Sequence, residues 1–294
     1  MLKRILITGK DSYIGTSFED YLTRKSNNYK INTIQMKDDL WEKEDFSQFD
    51  VVFHVAGIAH IKETTENKEL YYKVNRDLAY KTALKAKKDG VKQFVFLSSM
   101  SVYGLDHGVI SENTPLNATS AYGKSKAEAE QLVQSLADDT FIVAILRPPV
   151  VYGKGCKGNY PRLVRLTLKT PIFPNVNNKR SMIYINNLSE FVKQVIDHER
   201  GGVLFPQNTE YVNVSEMVEL IAMAHGKKVR MIKLFSPLLG LLNLITANKI
   251  FGDLIYEKEM SNTESEYRVC GFKQSIIETE GIKESVMERK GMKE

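Results

Sequence analysis

Residues 5–15 carry the stretch that decides the fold, ILITGKDSYIG. A short β-branched run ends at Thr8, and Gly9 follows at once, which lets the chain turn tightly after a buried strand. Gly15 comes where a second glycine allows the N-terminus of a helix to approach a pyrophosphate. Ser12 replaces the central glycine of the usual three. The stretch predicts a dinucleotide-binding turn, although a plain strand-to-helix turn would also use two glycines.

Beyond this turn, the first half of the chain alternates between buried strands and helices. Nearly continuous apolar character predicts strands at Ile5–Thr8, Ile31–Ile34, Val51–Val55, Phe94–Leu97 and Phe141–Leu146. The longest helical pattern spans Leu70–Asp89 and predicts one buried stripe made of Leu70, Val74, Leu78 and Leu84. This alternation predicts an α/β protein with a Rossmann-type, doubly wound parallel sheet.

The pattern loosens after Gly153. We expect a short helix, then a strand, a helix and a strand, at Arg162–Lys169, Met182–Ile185, Leu188–His198 and Val203–Phe205. Residues 1–155 and 182–207 are expected to form the dinucleotide-binding domain. Residues 156–181 and 208–294 are expected to form a smaller, interleaved α/β cap that binds the substrate.

The composition is that of an ordinary globular protein. Of 294 residues, 43% are hydrophobic and 26% charged, and 41 Lys and Arg against 36 Asp and Glu leave a net charge of +5. Because the cations are scattered, we expect no nucleic-acid partner. Only Cys156 and Cys270 are present, which suits a reducing cytoplasm. The apolar stretch Leu234–Ile245 falls short of the ~20 residues that span a bilayer, so we expect no integral membrane segment. A buried helix pair is favoured there over a membrane-surface contact.

The end of the second strand bears on the choice of dinucleotide. An acidic residue there would hold the ribose 2′-hydroxyl of NAD, whereas a cation would accommodate a 2′-phosphate. Gln35 and Lys37 occupy the expected positions, and Lys10 lies in the glycine turn. We therefore favour NADP(H) over NAD(H). A slip of one or two residues that brought Asp38 into play would reverse this preference.

Tyr122 and Lys126 lie four residues apart and share one helical face. An ammonium beside a phenol, together with a positive nicotinamide ring, would lower the phenol pKa and fit it for proton transfer. The Tyr-x-x-x-Lys pattern is common by chance. Here, however, Ser98 and Ser99 end the fourth strand, at the edge of the sheet where ligands bind. The order of glycine turn, serine pair and Tyr-x-x-x-Lys indicates an oxidoreductase.

Seven motifs together resemble the extended short-chain dehydrogenase/reductases that act on nucleotide sugars. They are residues 8–15, 52–57, Asn75, 98–104, Tyr122 with Lys126, 146–153 and 180–185. The resemblance implies Ser99, Tyr122 and Lys126 as catalytic residues and Asn75 as a support for the lysine. It also implies that Arg180 clasps the diphosphate of a sugar nucleotide.

The same resemblance implies two binding sets. The dinucleotide would contact Gly9, Ser12, Tyr13, Ile14, Gly15, Lys37, Asp39, Leu40, Val55, Ala56, Gly57, Asn75, Tyr122, Lys126, Pro148 and Val150. The UDP-sugar would contact Ser99, Met100, Ser101, Tyr122, Asn159, Arg162, Phe173 and Arg180.

More narrowly, the chain resembles bacterial capsule- and O-antigen-locus reductases of UDP-4-keto-6-deoxy-N-acetylhexosamines. The shared stretches are residues 40–41, 56–60, 158–163, 171–175 and 251–256. This implies NAD(P)H-dependent reduction of the C4 ketone to UDP-N-acetylfucosamine or UDP-N-acetylquinovosamine for surface polysaccharide synthesis. A homodimer formed through the long helices is the usual assembly and is expected.

Individual side chains near the predicted site narrow the choice of reaction class. A 4,6-dehydratase needs an acid and a base just after the strand-four hydroxyl, where this chain has Met100 and Ser101. Cys156 is expected to be a packing residue and His60 a polar loop residue. No cluster has metal-ligand spacing, so no metal is expected. An NAD-dependent 4-epimerase remains as the alternative to the reductase. A non-catalytic NADP sensor is disfavoured because Tyr122 and Lys126 are both present.

Overall fold

The computed structural model describes residues 2–59, 61–233, 252–262 and 265–281. Six strands form one parallel sheet in the order β10-β6-β4-β3-β1-β2. These strands are β1 (Lys3–Thr8), β2 (Tyr29–Ile34), β3 (Val51–His54), β4 (Gln93–Leu97), β6 (Ile142–Leu146) and β10 (Gly202–Leu204). The reversal of strand order beside β1 is that of a doubly wound sheet, which confirms the predicted fold class.

Helices cover both faces of this sheet. The α-helices of the described residues are α1 (Tyr13–Lys25), α2 (Lys68–Tyr71), α3 (Leu78–Lys88), α4 (Ala121–Gln134), α5 (Asn159–Lys169), α6 (Ile185–Asp197), α7 (Val214–Ala224) and α8 (Phe272–Glu280). Single 3-10 turns occur at Asp39–Lys43, Thr65–Asn67, Met100–Tyr103 and Glu259–Ser261. One hydrophobic cluster lies on each face of the sheet, and every residue of β3 and β4 is buried, as expected for central parallel strands.

The long helical run predicted at residues 70–89 is present, but the predicted buried stripe is wrong. A π-helix, Tyr72–Asp77, joins α2 to α3 and adds a residue to the turn. Leu70 is 45% exposed, and Val74, Leu78 and Leu84 are only partly buried. The buried face consists instead of Tyr71, Asn75, Ala79, Thr82, Ala83 and Ala86. Periodicity favoured the leucines, whereas the small alanines allow the helix to pack closely.

Three two-stranded parallel pairs surround the sheet. They are β7 (Val150–Tyr152) with β9 (Met182–Tyr184), β8 (Ile172–Pro174) with β11 (Arg230–Ile232), and β5 (Gly108–Ile110) with β12 (Leu254–Tyr256). The β8–β11 pair, with α5 and α7, encloses a small hydrophobic cluster of its own. The proposed division of the chain into domain and cap stays a prediction.

Among the described residues, none of the helices has the length and apolar character needed to span a bilayer. The apolar stretch Leu234–Ile245 and His60, both considered above, lie outside the described residues.

Candidate active site

The turn after β1 is packed too closely for side chains at its two glycines. Gly9 has a φ of +92°, and a Cβ there would lie 2.9 Å from the Cα of Ala56. A Cβ on Gly15 would lie 2.6 Å from the Oγ of Ser12 and 3.1 Å from Val55. The Ser12 hydroxyl in turn accepts a hydrogen bond from the Gly15 N–H at 3.3 Å and caps α1. This tight turn at a helix N-terminus fits a dinucleotide diphosphate.

Tyr13 and Ile14 form the first turn of α1 and are partly buried. The Tyr13 hydroxyl oxygen is buried and has no hydrogen-bond partner among the described residues. It lies against Gly153, where a Cβ would come within 2.8 Å of it. Tyr13 therefore packs the turn against the strand β7 region.

The end of β2 lies directly beside the glycine turn. The Ile34 carbonyl accepts hydrogen bonds from the N–H groups of Gly9 at 3.0 Å and Lys10 at 3.1 Å. Lys37 is exposed just beyond the strand. The carboxylate of Asp38 accepts the Leu40 N–H at 3.2 Å and so caps the 3-10 turn that contains Asp39 and Leu40. Among residues 35–37 there is no carboxylate.

Helix α4 and the end of β4 bring the three predicted catalytic side chains together. Ser120 caps α4 by accepting the Gly123 N–H at 3.1 Å, which places Tyr122 in the first turn. Ser99 follows β4 and lies close enough to Tyr122 for its hydroxyl to affect the pKa of the phenol. Lys126 is buried one turn further on, and its ammonium donates to the Leu97 carbonyl at 2.7 Å.

Burial shifts the pKa values of both Tyr122 and Lys126. Burial raises the pKa of Tyr122, and the Ser99 hydroxyl opposes this only in part. The expectation that Lys126 and a bound nicotinamide together lower the pKa of Tyr122 stays a prediction, and the Lys126 ammonium is held in place by a backbone carbonyl. Burial lowers the pKa of Lys126 to about 8, and the Glu130 carboxylate opposes that shift. Lys126 therefore remains protonated at neutral pH.

Asn75 supports the segment that runs beside the Lys126 ammonium. Its side-chain oxygen accepts the Ile58 N–H at 2.8 Å, and its amide donates to the Ile58 carbonyl at 3.1 Å and to Ser125 at 3.2 Å. A Cβ on Gly57 would lie 2.9 Å from the Asn75 oxygen and 3.5 Å from the Lys126 nitrogen. Asn75 holds the backbone next to the lysine and does not contact the ammonium through a hydrogen bond.

A buried ion pair beneath the site was not predicted from the sequence. Glu130 is 4% exposed and forms a bond of 2.6 Å to the Arg147 guanidinium, which also donates to the Tyr103 hydroxyl at 2.8 Å. The Ser98 hydroxyl donates to the same carboxylate. A signal was present, because Tyr122, Lys126 and Glu130 follow one another at intervals of four and share a helical face.

Two aromatic contacts beside the catalytic residues were also missed. His54 is fully buried at the end of β3, hydrogen-bonded to Thr8 at 2.8 Å, and burial lowers its pKa to about 3, so it is neutral. The ring of Tyr71 packs edge-on against Tyr122, with 6.4 Å between centroids, and its hydroxyl donates to the Ile61 carbonyl at 2.8 Å. His54 lay inside the motif at residues 52–57 but was given no role, and Tyr71 belonged to no motif.

The segments that follow β4 and β6 lie next to one another beside the predicted catalytic residues. The Met100 N–H donates to the Pro148 carbonyl at 3.0 Å, which joins the segments after β4 and β6. Ser101 receives a hydrogen bond from the Ser99 hydroxyl at 3.1 Å. Val150, the first residue of β7, is partly buried. Met100 and Ser101 offer no titratable group at the position where a dehydratase needs an acid and a base.

The other predicted substrate contacts, Asn159, Arg162, Phe173 and Arg180, are dispersed over the second half of the chain. Asn159 and Arg162 are exposed on α5, and Arg180 is partly buried with its guanidinium donating to the Gly252 carbonyl at 2.8 Å. Phe173 is 2% exposed and packs with Val214 and Val218, so its side chain faces the small hydrophobic cluster between α5, α7 and the β8–β11 pair.

Cys156 packs in the main core, and burial raises the pKa of its thiol. Within the described part of the chain, no group of His, Cys, Asp and Glu side chains could hold a metal ion.

A Rossmann-type sheet whose glycine turn adjoins a Ser–Tyr–Lys arrangement defines a dinucleotide-dependent oxidoreductase class. Residues 5–206 match the NAD dependent epimerase/dehydratase family. A UDP-glucose 4-epimerase of Vibrio cholerae is 32% identical over 83% of this chain and 85% of that protein. An N-acetyl-alpha-D-glucosaminyl-diphospho-ditrans,octacis-undecaprenol 4-epimerase of Escherichia coli O157:H7 is 26% identical over 81% and 77%. The chain belongs to the NAD dependent epimerase/dehydratase family.

Solved structures share the fold. The UDP-glucuronic acid 4-epimerase of Bacillus cereus, in complex with NAD, superposes with a TM-score of 0.72 at 18% identity and covers 96% of this chain and 99% of its own. The dTDP-4-dehydrorhamnose reductase of Bacillus anthracis, in complex with NADP, gives a TM-score of 0.67 at 19% identity, with 91% and 96% covered.

Proposed function

We propose that the protein reduces the C4 ketone of a UDP-4-keto-6-deoxy-N-acetylhexosamine, with NADPH as the preferred reductant, to UDP-N-acetylfucosamine or UDP-N-acetylquinovosamine. The proposal rests on one observation, which is that Ser99, Tyr122 and Lys126 lie near the end of β4. The neighbouring Met100 and Ser101 have no titratable group. The exposed Lys37 and the capping role of Asp38 support NADPH.

A bound reduced nicotinamide supplies the hydride. Tyr122 donates its hydroxyl proton to the oxygen that forms at C4, and Ser99 holds that oxygen by a hydrogen bond. Lys126, fixed by the Leu97 carbonyl, carries the positive charge that stabilises the phenolate left on Tyr122. Burial raises the pKa of Tyr122, so the phenol is protonated before the reaction, and the positive charge of Lys126 favours release of that proton.

A 4-epimerase acting on a UDP-sugar is the second candidate. It is favoured by the names of the relatives, which include the Vibrio cholerae UDP-glucose 4-epimerase and the Escherichia coli enzyme specific for a lipid-linked N-acetylglucosaminyl diphosphate. In that reaction Tyr122 would first accept the proton of the C4 hydroxyl and later return it on the other face of the sugar.

Incubation with UDP-4-keto-6-deoxy-GlcNAc and NADPH tests the proposal. We expect stoichiometric loss of NADPH absorbance and a single 4-hydroxy product, with stereochemistry assigned by NMR. Turnover of UDP-GlcNAc or UDP-galactose without added cofactor, and no NADPH loss with the keto sugar, would replace the reductase by the epimerase. The Tyr122→Phe variant is the control, because turnover at this site should fall sharply in it, whereas turnover by a contaminating enzyme would not change.

A further inference from the structure

The cap carries a surface on which cations surround exposed apolar side chains. Residues 141–189 contain eight Lys and Arg and no Asp or Glu, and residues 220–233 contain four and again none. The +5 net charge of the whole chain is therefore unevenly distributed along the sequence.

The fold brings these two acid-free stretches together. Strand β8 comes from the first and β11 from the second, and they pair in parallel with Arg230 opposite Ile172. The Lys227 ammonium donates to the carbonyls of Thr167 at 3.0 Å and Leu168 at 2.6 Å, which ties the second stretch to the end of α5. The basic residues of α5, together with Lys227 and Arg230, therefore belong to one region of the surface, whereas Arg147 is buried against Glu130 elsewhere.

The outer face of helix α5 carries both cations and exposed leucines. Its inner side holds the buried Tyr160 and Thr167. The opposite side carries Arg162, Arg165, Leu166 and Lys169. At 100° per residue, these four positions span an arc of about 100° around the helix axis. Leu166, Leu168 and Ile172 expose 42%, 38% and 49% of their surfaces. Large apolar side chains ringed by cations are the pattern of helices that lie in the interface of an anionic bilayer.

We propose that this face, formed by α5, Ile172 and Arg230, docks the protein peripherally onto an anionic phospholipid membrane. The cations would meet the lipid phosphates, and the exposed leucines and isoleucine would enter the boundary between headgroups and acyl chains. The apolar residues favour a bilayer over a nucleic acid, whose phosphates would leave them in water. The proposal does not depend on which reaction the protein catalyses, and it rests on Arg165, Lys169 and Arg230 and not on Arg162, an expected substrate contact on the same helix.

Sedimentation with vesicles of phosphatidylglycerol and phosphatidylethanolamine, compared with vesicles of phosphatidylcholine, tests the proposal. We expect the full-length protein to bind the anionic vesicles at low salt and to be released as salt rises. Each cation near an anionic surface contributes about fivefold to binding, so the R165Q/K169Q/R230Q variant should bind about 100-fold more weakly. Arg162 is left unchanged because it is an expected substrate contact.

The matched control is K81Q/K88Q/K92Q, which removes the same charge from exposed lysines in and after α3. It should retain nearly wild-type binding. A second variant, L166Q/I172T, should weaken vesicle binding with no change in melting temperature, because both side chains meet solvent.

Five results would overturn the proposal, and the first four concern binding and association. They are absence of vesicle binding, an equal loss in the control variant, binding to a DNA duplex but not to vesicles, and self-association that pellets the protein without lipid. A lower melting temperature for L166Q/I172T with unchanged vesicle binding would show that another part of the chain covers this face, and would also overturn it.

Discussion

Adding one methyl group to Gly123 should separate Ser99 from Tyr122, the proposed catalytic pair. A Cβ on Gly123 would lie 2.5 Å from the carbonyl oxygen of Ser101, well inside an ordinary contact of 3.4 Å. Helix α4 and the turn that contains Ser101 must therefore move apart by about 0.9 Å to reach van der Waals distance. Ser101 is bonded through both its N–H and its hydroxyl to Ser99 at 3.1 Å, so Ser99 moves with it.

The G123A variant should consequently lose turnover far more than binding. A displacement of about 1 Å in a reacting geometry lowers the rate by about 100-fold, which corresponds to about 2.7 kcal/mol in the activation barrier. The assay is kcat for NADPH-dependent reduction of the keto sugar, alongside dinucleotide binding measured by fluorescence. Binding should change little, since the glycine turn after β1 is untouched.

Gly271→Ala provides the matched control, because a Cβ there has nothing within 4 Å and the φ of Gly271 is −71°. It should leave kcat unchanged and cost less than about 1 kcal/mol of stability. If G123A folds normally and keeps kcat within about threefold of the wild type, then coupling between Ser99 and α4 is not needed for catalysis.

Three further predictions concern the charge states and the cofactor. Tyr122→Phe should reduce kcat by about 100-fold or more while NADPH affinity, measured by titration, stays near the wild-type value; unchanged turnover would exclude Tyr122 as the acid. Because the pKa of Lys126 is about 8, kcat/KM should fall as the pH rises through that value. Glu130→Gln should move this fall to lower pH and cost about 3–5 kcal/mol on denaturant unfolding, since it leaves Arg147 buried without its carboxylate. The surface-paired Glu128→Gln should cost less than about 1 kcal/mol and leave the pH profile in place. Lys37→Glu should shift the ratio of kcat/KM values toward NADH; an unchanged ratio would show that Lys37 does not meet the 2′-phosphate.

Buried strands and the glycine turn were predictable because their signals are local. The five strands predicted in the first half correspond to β1, β2, β3, β4 and β6, with bounds that differ by two residues at most. Continuous apolar character is sufficient there, since central parallel strands are buried on both faces. The spacing of Tyr122 and Lys126 was likewise enough to place both on α4.

Contacts between distant segments were not predictable in the same way. The Glu130–Arg147 pair joins α4 to the end of β6, and nothing in either segment alone names the other as its partner. The error over Leu70 has a different cause. The buried face, which runs from Tyr71 through Asn75 to Ala79, has the same helical spacing as the leucines but is displaced by one residue, and a pattern of apolar residues does not select a face that includes a polar asparagine.

The π-helix and the buried ion pair address one physical problem, which is how to keep a lysine charged inside a protein. Burial of Lys126 favours its neutral form, and the pKa falls to about 8. Glu130 opposes this from the next turn of α4, but an unpaired buried carboxylate would itself be costly, and Arg147 meets it at 2.6 Å. On the other side Asn75 holds the backbone at Gly57 against the ammonium. Since Glu130 is itself paired, it stabilises the charge of Lys126 without bonding to the ammonium. The result is a cation that persists at neutral pH one turn from Tyr122, where a phenolate would need it.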